Sequence, residues 1–258
     1  MREGSARVSG ISGSTLKLIA IGAMLMDHIG AVILEPMLLQ RHALGMITGP
    51  LEEDLMFQVY YFFRMVIGRA AFPVFCFLLT EGMQRTSHKG RYFLRLLLFA
   101  GISEVPFDLA IMKSAWDWSY QNVFFTLAIG LGTMCCVEKI KERCGNVWLR
   151  AAAQGGCVIL GMSTADFLKT DYCGYGVLCM MVLYFFRKNR WQQLIAGAVI
   201  FPLGEWICLG TTSELLAPLG LIPAARYNGE RGRNSKYLFY WFYPLHLLVL
   251  YGVRVFII

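Results

Sequence analysis

Lys17-Leu-Ile-Ala-Ile-Gly-Ala-Met-Leu-Met-Asp27-His28-Ile29 is the stretch that decides the fold. It belongs to an apolar run long enough to cross a bilayer, yet it carries a Lys at one end and an Asp-His pair well inside. Ionisable groups in hydrocarbon are costly unless they face a polar interior, so the run predicts a functional site. At about 100° per residue, the eleven-residue spacing puts Lys17 and His28 on one helix face, roughly 16 Å apart.

The composition is that of a multi-pass membrane protein. Of 258 residues, 57% are hydrophobic and only 16% are charged, whereas soluble domains are about one quarter charged. The net charge of +7 is attributed to cytoplasmic loops rather than to a nucleic-acid partner, because positive charge is retained on that side. The eight Cys show no spacing typical of a metal site or disulfide, so no metal is expected.

The apolar runs predict an all-α, polytopic integral membrane helix bundle of about nine transmembrane helices. We expect one transmembrane domain over residues 1–258, and no cleavage site follows the first run, which therefore reads as an uncleaved anchor. The sixth and eighth runs are short, and Pro218 and Pro223 predict a broken helix in the eighth. The runs cover residues 15–34, 61–83, 91–111, 119–137, 148–167, 173–186, 191–210, 213–225 and 235–256.

Loop charge predicts the orientation. The connecting segments fall into two alternating sets along the chain. The set expected outside holds three Lys or Arg (Arg41, Lys113 and Lys169), and the set expected inside holds seventeen. Since Lys and Arg accumulate on the cytoplasmic side, we expect a cytoplasmic N-terminus and an external C-terminus, provided that the eighth run crosses. The segments expected inside are the N-terminus through Lys17, 84–91, 138–150, 187–190 and 226–236.

Counting helical rise from the cytoplasmic end places polar side chains in two layers. The outer layer lies in the outer half of the membrane, and Asp27 precedes its first member. Its members are His28, Arg69, Glu104, Asp108, Asn122 and His246. The layer near the cytoplasm comprises Lys17, Glu81 and Arg95, with the basic run from Arg85 to Arg91 beside it.

These layers are open to structural and functional interpretations. Glu104, Glu205 and an Asp27–Arg69 pair could each belong to structural ion pairs, and His246 could be an interhelical hydrogen-bond donor. Functionally, His28 could act as a general base or accept an acyl group. A cationic mouth can hold phosphates, so a long phosphorylated thioester such as acetyl-CoA would span both layers. The alternative is a proton- or ion-coupled small-solute transporter that uses the buried Asp, His and Glu as a relay.

Several motifs resemble the TraX family, the pilin N-terminal acetylation proteins of conjugation systems. The likeness covers residues 15–250, and the family is similar in turn to the membrane acyltransferase-3 superfamily, which usually has ten helices and Arg at the position of Lys17. The motifs are Leu16-Lys17 through Met26-Asp27-His28-Ile29, Ile67-Gly68-Arg69-Ala-Ala-Phe72-Pro73-Val-Phe75, Ser103-Glu104-Val-Pro106-Phe107-Asp108, Gln121-Asn122-Val-Phe-Phe125-Thr and Tyr243-Pro244-Leu-His246.

The resemblance implies an enzyme of the bacterial inner membrane that transfers acetyl from cytoplasmic acetyl-CoA. The acceptor would be a pilin N-terminal amine or another membrane-associated amine or hydroxyl. His28 would be the catalytic base or acyl carrier, tuned by Asp27, Arg69 or Glu104. Further residues of the expected site are Asp108, Asn122 and His246, with Arg69 or Asn122 as oxyanion donor; Lys17, Arg85, Arg91 and Arg95 would bind acetyl-CoA.

Overall fold

A computed structural model describes residues 10–47, 49–233 and 236–257 of the chain. The first nine residues, which the charge pattern assigns to the cytoplasm, lie outside this part. Over the described ranges the chain forms nine helices, α1 to α9. Their bounds are Gly13–Ala43, Leu55–Arg85, Lys89–Phe107, Val123–Arg143, Val147–Phe167, Cys173–Phe185, Arg190–Leu209, Leu221–Ala225 and Lys236–Ile257.

Each apolar run of the sequence corresponds to one of these helices, which confirms the all-α class. Five of the helices in the described ranges, α1, α2, α4, α7 and α9, are long and apolar enough to cross a membrane. Consecutive helices from α3 to α8 pack side by side, while α9 returns to contact α3 and α1. The molecule is therefore a membrane helix bundle in which the first and last helices meet.

Helix α6 is the short sixth run, and it lies at the centre of the bundle. It packs against α2, α4, α5 and α7, and nine of its thirteen residues are buried. A helix that is apolar on all sides is stable when protein surrounds it. Its short length is thus explained by burial in protein.

The apolar runs at 15–34 and 61–83 leave residues 35–60 between them, which we expected to form a long outer loop. Helices occupy much of this stretch, so that expectation was wrong. Helix α1 continues to Ala43, and α2 begins already at Leu55. Asp54 caps α2, because its Oδ1 accepts hydrogen bonds from the backbone N–H groups of Met56 at 2.8 Å and Phe57 at 3.3 Å. Hydropathy predicts only the part of a helix that faces lipid, whereas backbone hydrogen bonds extend both helices beyond that part.

Three π-helical turns interrupt the helices beside the predicted polar layer. One, Gly30–Leu34, directly follows the turn that holds His28. A second, Phe62–Ile67, contains Arg64, and a third, Asp108–Met112, extends α3. A π turn changes the direction of the side chains that follow it, and such turns are frequent at functional sites.

The eighth run follows α7 back along its length. Near the end of α7, the backbone N–H of Glu214 donates to the Glu205 carboxylate at 2.7 Å. Near its start, the guanidinium of Arg190 donates to the carbonyl of Ala224 at 3.1 Å. Between these contacts the chain forms a 3-10 turn, Ala217–Gly220, and then α8, which agrees with the predicted broken helix.

The described parts of the basic segments gather at one end of the bundle, here called the basic end. An ion pair and hydrogen bonds connect them: Lys89–Glu138, Arg85–Gly229, Arg190–Ala224 and Gly13–Glu230. At the opposite end, an isolated bridge pairs Gln121 with Thr170. The grouping of basic segments that the sequence predicted is therefore present, while its side of the membrane stays a prediction.

Candidate functional site

A cavity of about 740 Å³ opens among the cationic side chains of the basic end. This volume lies within the range of about 300–1,000 Å³ that is typical of ligand pockets. The four residues that we expected to bind a phosphorylated donor all line this basic cavity, together with His88 and Arg231: Lys17, Arg85, Arg91 and Arg95. The sequence thus predicted their common location, while their role stays a prediction.

The mouth of the basic cavity has an excess of positive charge. Its lining carboxylate is Glu81, whose two oxygens pair with Arg85 at 3.3 Å and Arg190 at 3.7 Å. Lys17 lies over the Phe239 ring, 5.1 Å from its centroid. The mouth is therefore suited to phosphate groups, for which Lys and Arg provide charge-assisted hydrogen bonds.

Aromatic rings line the basic cavity as far as Tyr243, which marks its inner end. The Tyr243 ring lies edge-on to that of Phe124 at 5.0 Å, to His28 at 5.9 Å and to His246 at 5.7 Å. Met24, one turn before His28 on α1, also lines the cavity. The two histidines that the sequence analysis selected therefore lie one ring away from the inner end, since they contact Tyr243 but do not themselves line the cavity.

His28 and His246 form a hydrogen-bonded pair that joins α1 to α9. The His28 Nδ1 lies 2.6 Å from the His246 Nε2, and the His246 Nδ1 lies 2.7 Å from the carbonyl oxygen of Phe242. A carbonyl only accepts, so His246 carries its proton on Nδ1 and accepts on Nε2. In the neutral pair, His28 must then donate through Nδ1, which leaves its Nε2 as an unprotonated base.

The interior charges form two ion pairs that differ from those expected. Asp27 pairs with Arg64 at 3.0 Å, not with Arg69 as the sequence analysis considered. Arg69 instead pairs with Glu214, also at 3.0 Å. Depth along a helix does not specify which neighbour a side chain faces, so the partners could not be chosen by depth alone.

Two glycines allow α1 and α2 to approach closely at the first of these pairs. A Cβ at Gly68 would lie 2.5 Å from the Asp27 Oδ1, and a Cβ at Gly30 would lie 2.6 Å from the Arg64 Cγ. Real Cβ atoms do not approach other atoms so closely. The position of the Asp27 carboxylate, beside His28, therefore depends on the absence of side chains at both sites.

The remaining residues of the predicted layer have mainly structural contacts. Asn122 caps α4 by accepting from the N–H of Phe124 at 3.1 Å. Its amide donates to the Glu104 carboxylate and to the carbonyl of Ala100 at 2.8 Å. Asp108, which is 1% exposed, accepts from the backbone N–H of Asp117 at 2.8 Å.

These contacts engage part of the donors that the sequence analysis proposed for an oxyanion. Both amide hydrogens of Asn122 have acceptors, and the Nη1 of Arg69 donates to Glu214, whereas the Arg69 Nε has no hydrogen-bond partner among the described residues. Neither side chain lines the basic cavity. Their role as oxyanion donors stays a prediction.

Sequence reasoning missed three residues of this region: Arg64, Glu214 and Tyr243. Arg64 was detectable as an ionisable residue inside the second apolar run. Glu214 stands at the start of the broken eighth run, where a carboxylate beside irregular backbone indicates a buried partner. Tyr243 was quoted as part of a motif, but aromatic residues are so frequent in membrane helices that its position gave no separate signal.

The chain is similar to known proteins over most of its length. The model of a family described as "TraX protein" matches residues 12–254. A protein of Dichelobacter nodosus named "Probable fimbrial assembly protein FimC, serogroup H1" is 26% identical over 266 residues, covering 95% of this chain and 97% of that protein. No solved structure matches the chain.

Proposed function

The chain belongs to the TraX family, and on that premise we propose that it is a membrane-embedded acetyltransferase. It moves an acetyl group from cytoplasmic acetyl-CoA to an amine, such as a pilin N-terminus, or to a hydroxyl at the membrane. The fimbrial name of the Dichelobacter nodosus relative supports an acceptor connected with pilus assembly. The protein would act in the bacterial inner membrane.

The basic cavity is the observation that carries this proposal. Lys17, Arg85, Arg91 and Arg95 suit the phosphates of CoA, and the aromatic walls suit its uncharged arm. Lys17 and His28 are eleven residues apart on one helix, which corresponds to roughly 16 Å of helix axis. A long donor with an anionic head and an acyl tip would thus bring the tip to the histidine pair.

The orientation follows from the same proposal. All nine apolar runs would cross the membrane, the eighth as a broken segment, with the N-terminus in the cytoplasm and the C-terminus outside. The basic end would then face the cytoplasm, as the positive-inside tendency favours. Since acetyl-CoA is made in the cytoplasm, the mouth of the basic cavity would open where the donor is available.

His28 would act as the general base. Its Nε2 is the unprotonated nitrogen of the pair, because Nδ1 donates to His246. An attacking amine must lose a proton as it bonds to the thioester carbonyl, and a positioned base contributes typically about 10²–10⁴-fold to such a step. Holding a base by a second residue is the arrangement that orients imidazoles in other acyl-transfer sites.

His28→Ala tests the proposal. The purified variant should retain acetyl-CoA binding, since the cations of the mouth are unchanged, and should lose transfer of labelled acetyl to membrane extract. His42→Ala is the matched control, because His42 lies at the far, exposed end of the same helix. Transfer by His28→Ala at the wild-type rate would rule out this mechanism.

The transporter alternative has one observation in its favour, the two interior ion pairs Asp27–Arg64 and Arg69–Glu214. Intramembrane charges of this kind can relay protons. Proteoliposomes containing the protein distinguish the two functions. An acetyltransferase releases CoA without ion movement, whereas proton or cation flux without CoA release would favour transport.

A further inference from the structure

Tyr243 combines deep burial with a hydroxyl that has no hydrogen-bond partner among the described residues. The side chain is 2% exposed, and it lines the inner end of the basic cavity. Leaving a buried hydroxyl without a partner costs about 1–3 kcal/mol. Such a group calls for a functional explanation, since most buried polar atoms are hydrogen-bonded.

The surroundings fix the Tyr243 hydroxyl in place and orient it. Three rings, those of Phe124, His28 and His246, pack edge-on against the phenol. The backbone N–H of Val123, at the first turn of α4, interacts with the phenolic oxygen, in a geometry short of a full hydrogen bond. The positive end of the α4 dipole therefore faces this oxygen and favours the O–H as a donor.

On the basis of the proposed function, we propose that Tyr243 is a catalytic residue that stabilises the oxyanion of acetyl transfer. Its hydroxyl donates a hydrogen bond to the thioester carbonyl oxygen of a donor that reaches the inner end of the cavity. A phenol is protonated at neutral pH, as this role requires. Tyr243 lines the cavity, whereas the donors expected from the sequence, Asn122 and Arg69, do not. Both amide hydrogens of Asn122 also have acceptors already.

The bonds and protons of the step balance as follows. The acceptor nitrogen bonds to the acetyl carbon, and the carbonyl π electrons move to oxygen, where the Tyr243 hydroxyl stabilises the negative charge. His28 takes the proton from the attacking nitrogen. The carbonyl then reforms, the carbon–sulfur bond breaks, and the thiolate leaves with the proton that His28 returns, giving an acetylated amine and CoA thiol.

Tyr243→Phe is the sharpest test, because it removes the hydroxyl and keeps the ring. The full-length protein in nanodiscs would receive acetyl-CoA and a short apolar peptide with a free N-terminal amine, with thiol release and peptide acetylation measured. We expect kcat to fall by about 10²–10³-fold, as when one oxyanion-hole donor is removed. KM for acetyl-CoA should stay at the wild-type value, and the ascending limb of the pH profile should not move.

The matched control is Tyr251→Phe, which removes a hydroxyl two turns further along α9, outside the cavity lining. It should keep the wild-type kcat. If Tyr243→Phe does not fold, 3,5-difluorotyrosine at position 243 keeps the hydroxyl but ionises at lower pH. Activity of that protein should then fall at alkaline pH where the wild type does not.

The outcomes separate the two proposals. Tyr243→Phe with a wild-type kcat, or a fluorinated protein with an unchanged alkaline limb, overturns the role of Tyr243 and leaves the proposed function standing. If the folded wild-type protein binds acetyl-CoA but never transfers acetyl to the peptide with release of CoA, both the role of Tyr243 and the proposed function are overturned. A rise in KM alone would show that the hydroxyl only binds the donor, which also overturns the catalytic role.

Discussion

Replacing His246 tests whether the histidine pair is needed to orient the base. In the structure the His28 Nδ1 is 2.6 Å from the His246 Nε2, and His246 is 7% exposed. His246→Leu removes this acceptor and leaves the buried Nδ1–H of His28 without a partner. His246→Gln is the conservative counterpart, since its side-chain oxygen can still accept from His28.

The size of the effect follows from the hydrogen bond. A net hydrogen-bond energy of about 0.5–1.5 kcal/mol holds His28 in one tautomer, and about 1.4 kcal/mol corresponds to a tenfold change in population. Loss of tautomer control alone therefore lowers kcat by up to about tenfold. Free rotation of the His28 ring adds to this, within the total of about 10²–10⁴-fold that a general base contributes.

The assay is acetyl transfer by purified variants at saturating acetyl-CoA, with thermal unfolding measured in parallel. His246→Leu should lower kcat by up to about tenfold through lost tautomer control, with a further loss from rotation of the His28 ring. It should also destabilise the protein by about 1–3 kcal/mol through the unpaired donor. His246→Gln should lose less on both measures. A folded His246→Leu protein with wild-type kcat would refute the orienting role, and equal losses in both variants would indicate a packing role instead.

Three other predictions concern the mouth, the helix crossing and the topology. Lys17→Ala should raise KM for acetyl-CoA while kcat stays near wild type, and failure to fold would instead mark Lys17 as a topology anchor. Gly68→Ala should lower the melting temperature, because overpacking typically costs about 1–3 kcal/mol. Gly22→Ala should not lower it, since no neighbouring atom lies within 4 Å of the added Cβ. Equal melting temperatures of the two variants would contradict the close packing of α1 and α2 at Gly68. Reporter fusions at 187–190 and 226–236 should both report the cytoplasm, and an external signal at 226–236 would remove the eighth crossing.

Much of the fold could be predicted because hydropathy and helix formation coincide in a membrane protein. The prediction failed where they separate, at the extensions of α1 to Ala43 and of α2 back to Leu55. The start of α2 did have a sequence signal in Asp54, a preferred capping residue before an apolar run. The end of α1 had no comparable signal. Pro36 stands only two residues beyond the predicted end of the helix, and a proline at that position usually indicates that a helix has ended.

The sequence predicted how deep the site residues lie along their helices, but not the direction in which their side chains point. Counting residues put His28 and His246 at similar depths, and the structure joins them by a hydrogen bond. The same counting could not distinguish Arg64 from Arg69 as the partner of Asp27, because the π turn at 62–67 alters the direction of the side chains that follow. Side-chain direction depends on packing between helices that are distant in sequence, and one sequence does not specify that packing.

Charge is concentrated at the mouth of the basic cavity, and this determines which part of a donor binds there. Cations surround the mouth. At the inner end, by contrast, the lining side chains of Val123, Phe124 and Tyr243 carry no formal charge.

A phosphate would therefore be attracted at the mouth and would find no cation along the aromatic walls, where an unpaired charge is costly to bury. An uncharged acyl arm meets no such barrier along the aromatic walls. The field thus admits a phosphorylated thioester in one direction only, with its head among the cations and its carbonyl beside Tyr243 and His28. A donor without phosphates would lose this alignment, so dephosphorylated acyl carriers such as acetyl-pantetheine should react with a higher KM and, once bound, with a kcat close to that of acetyl-CoA.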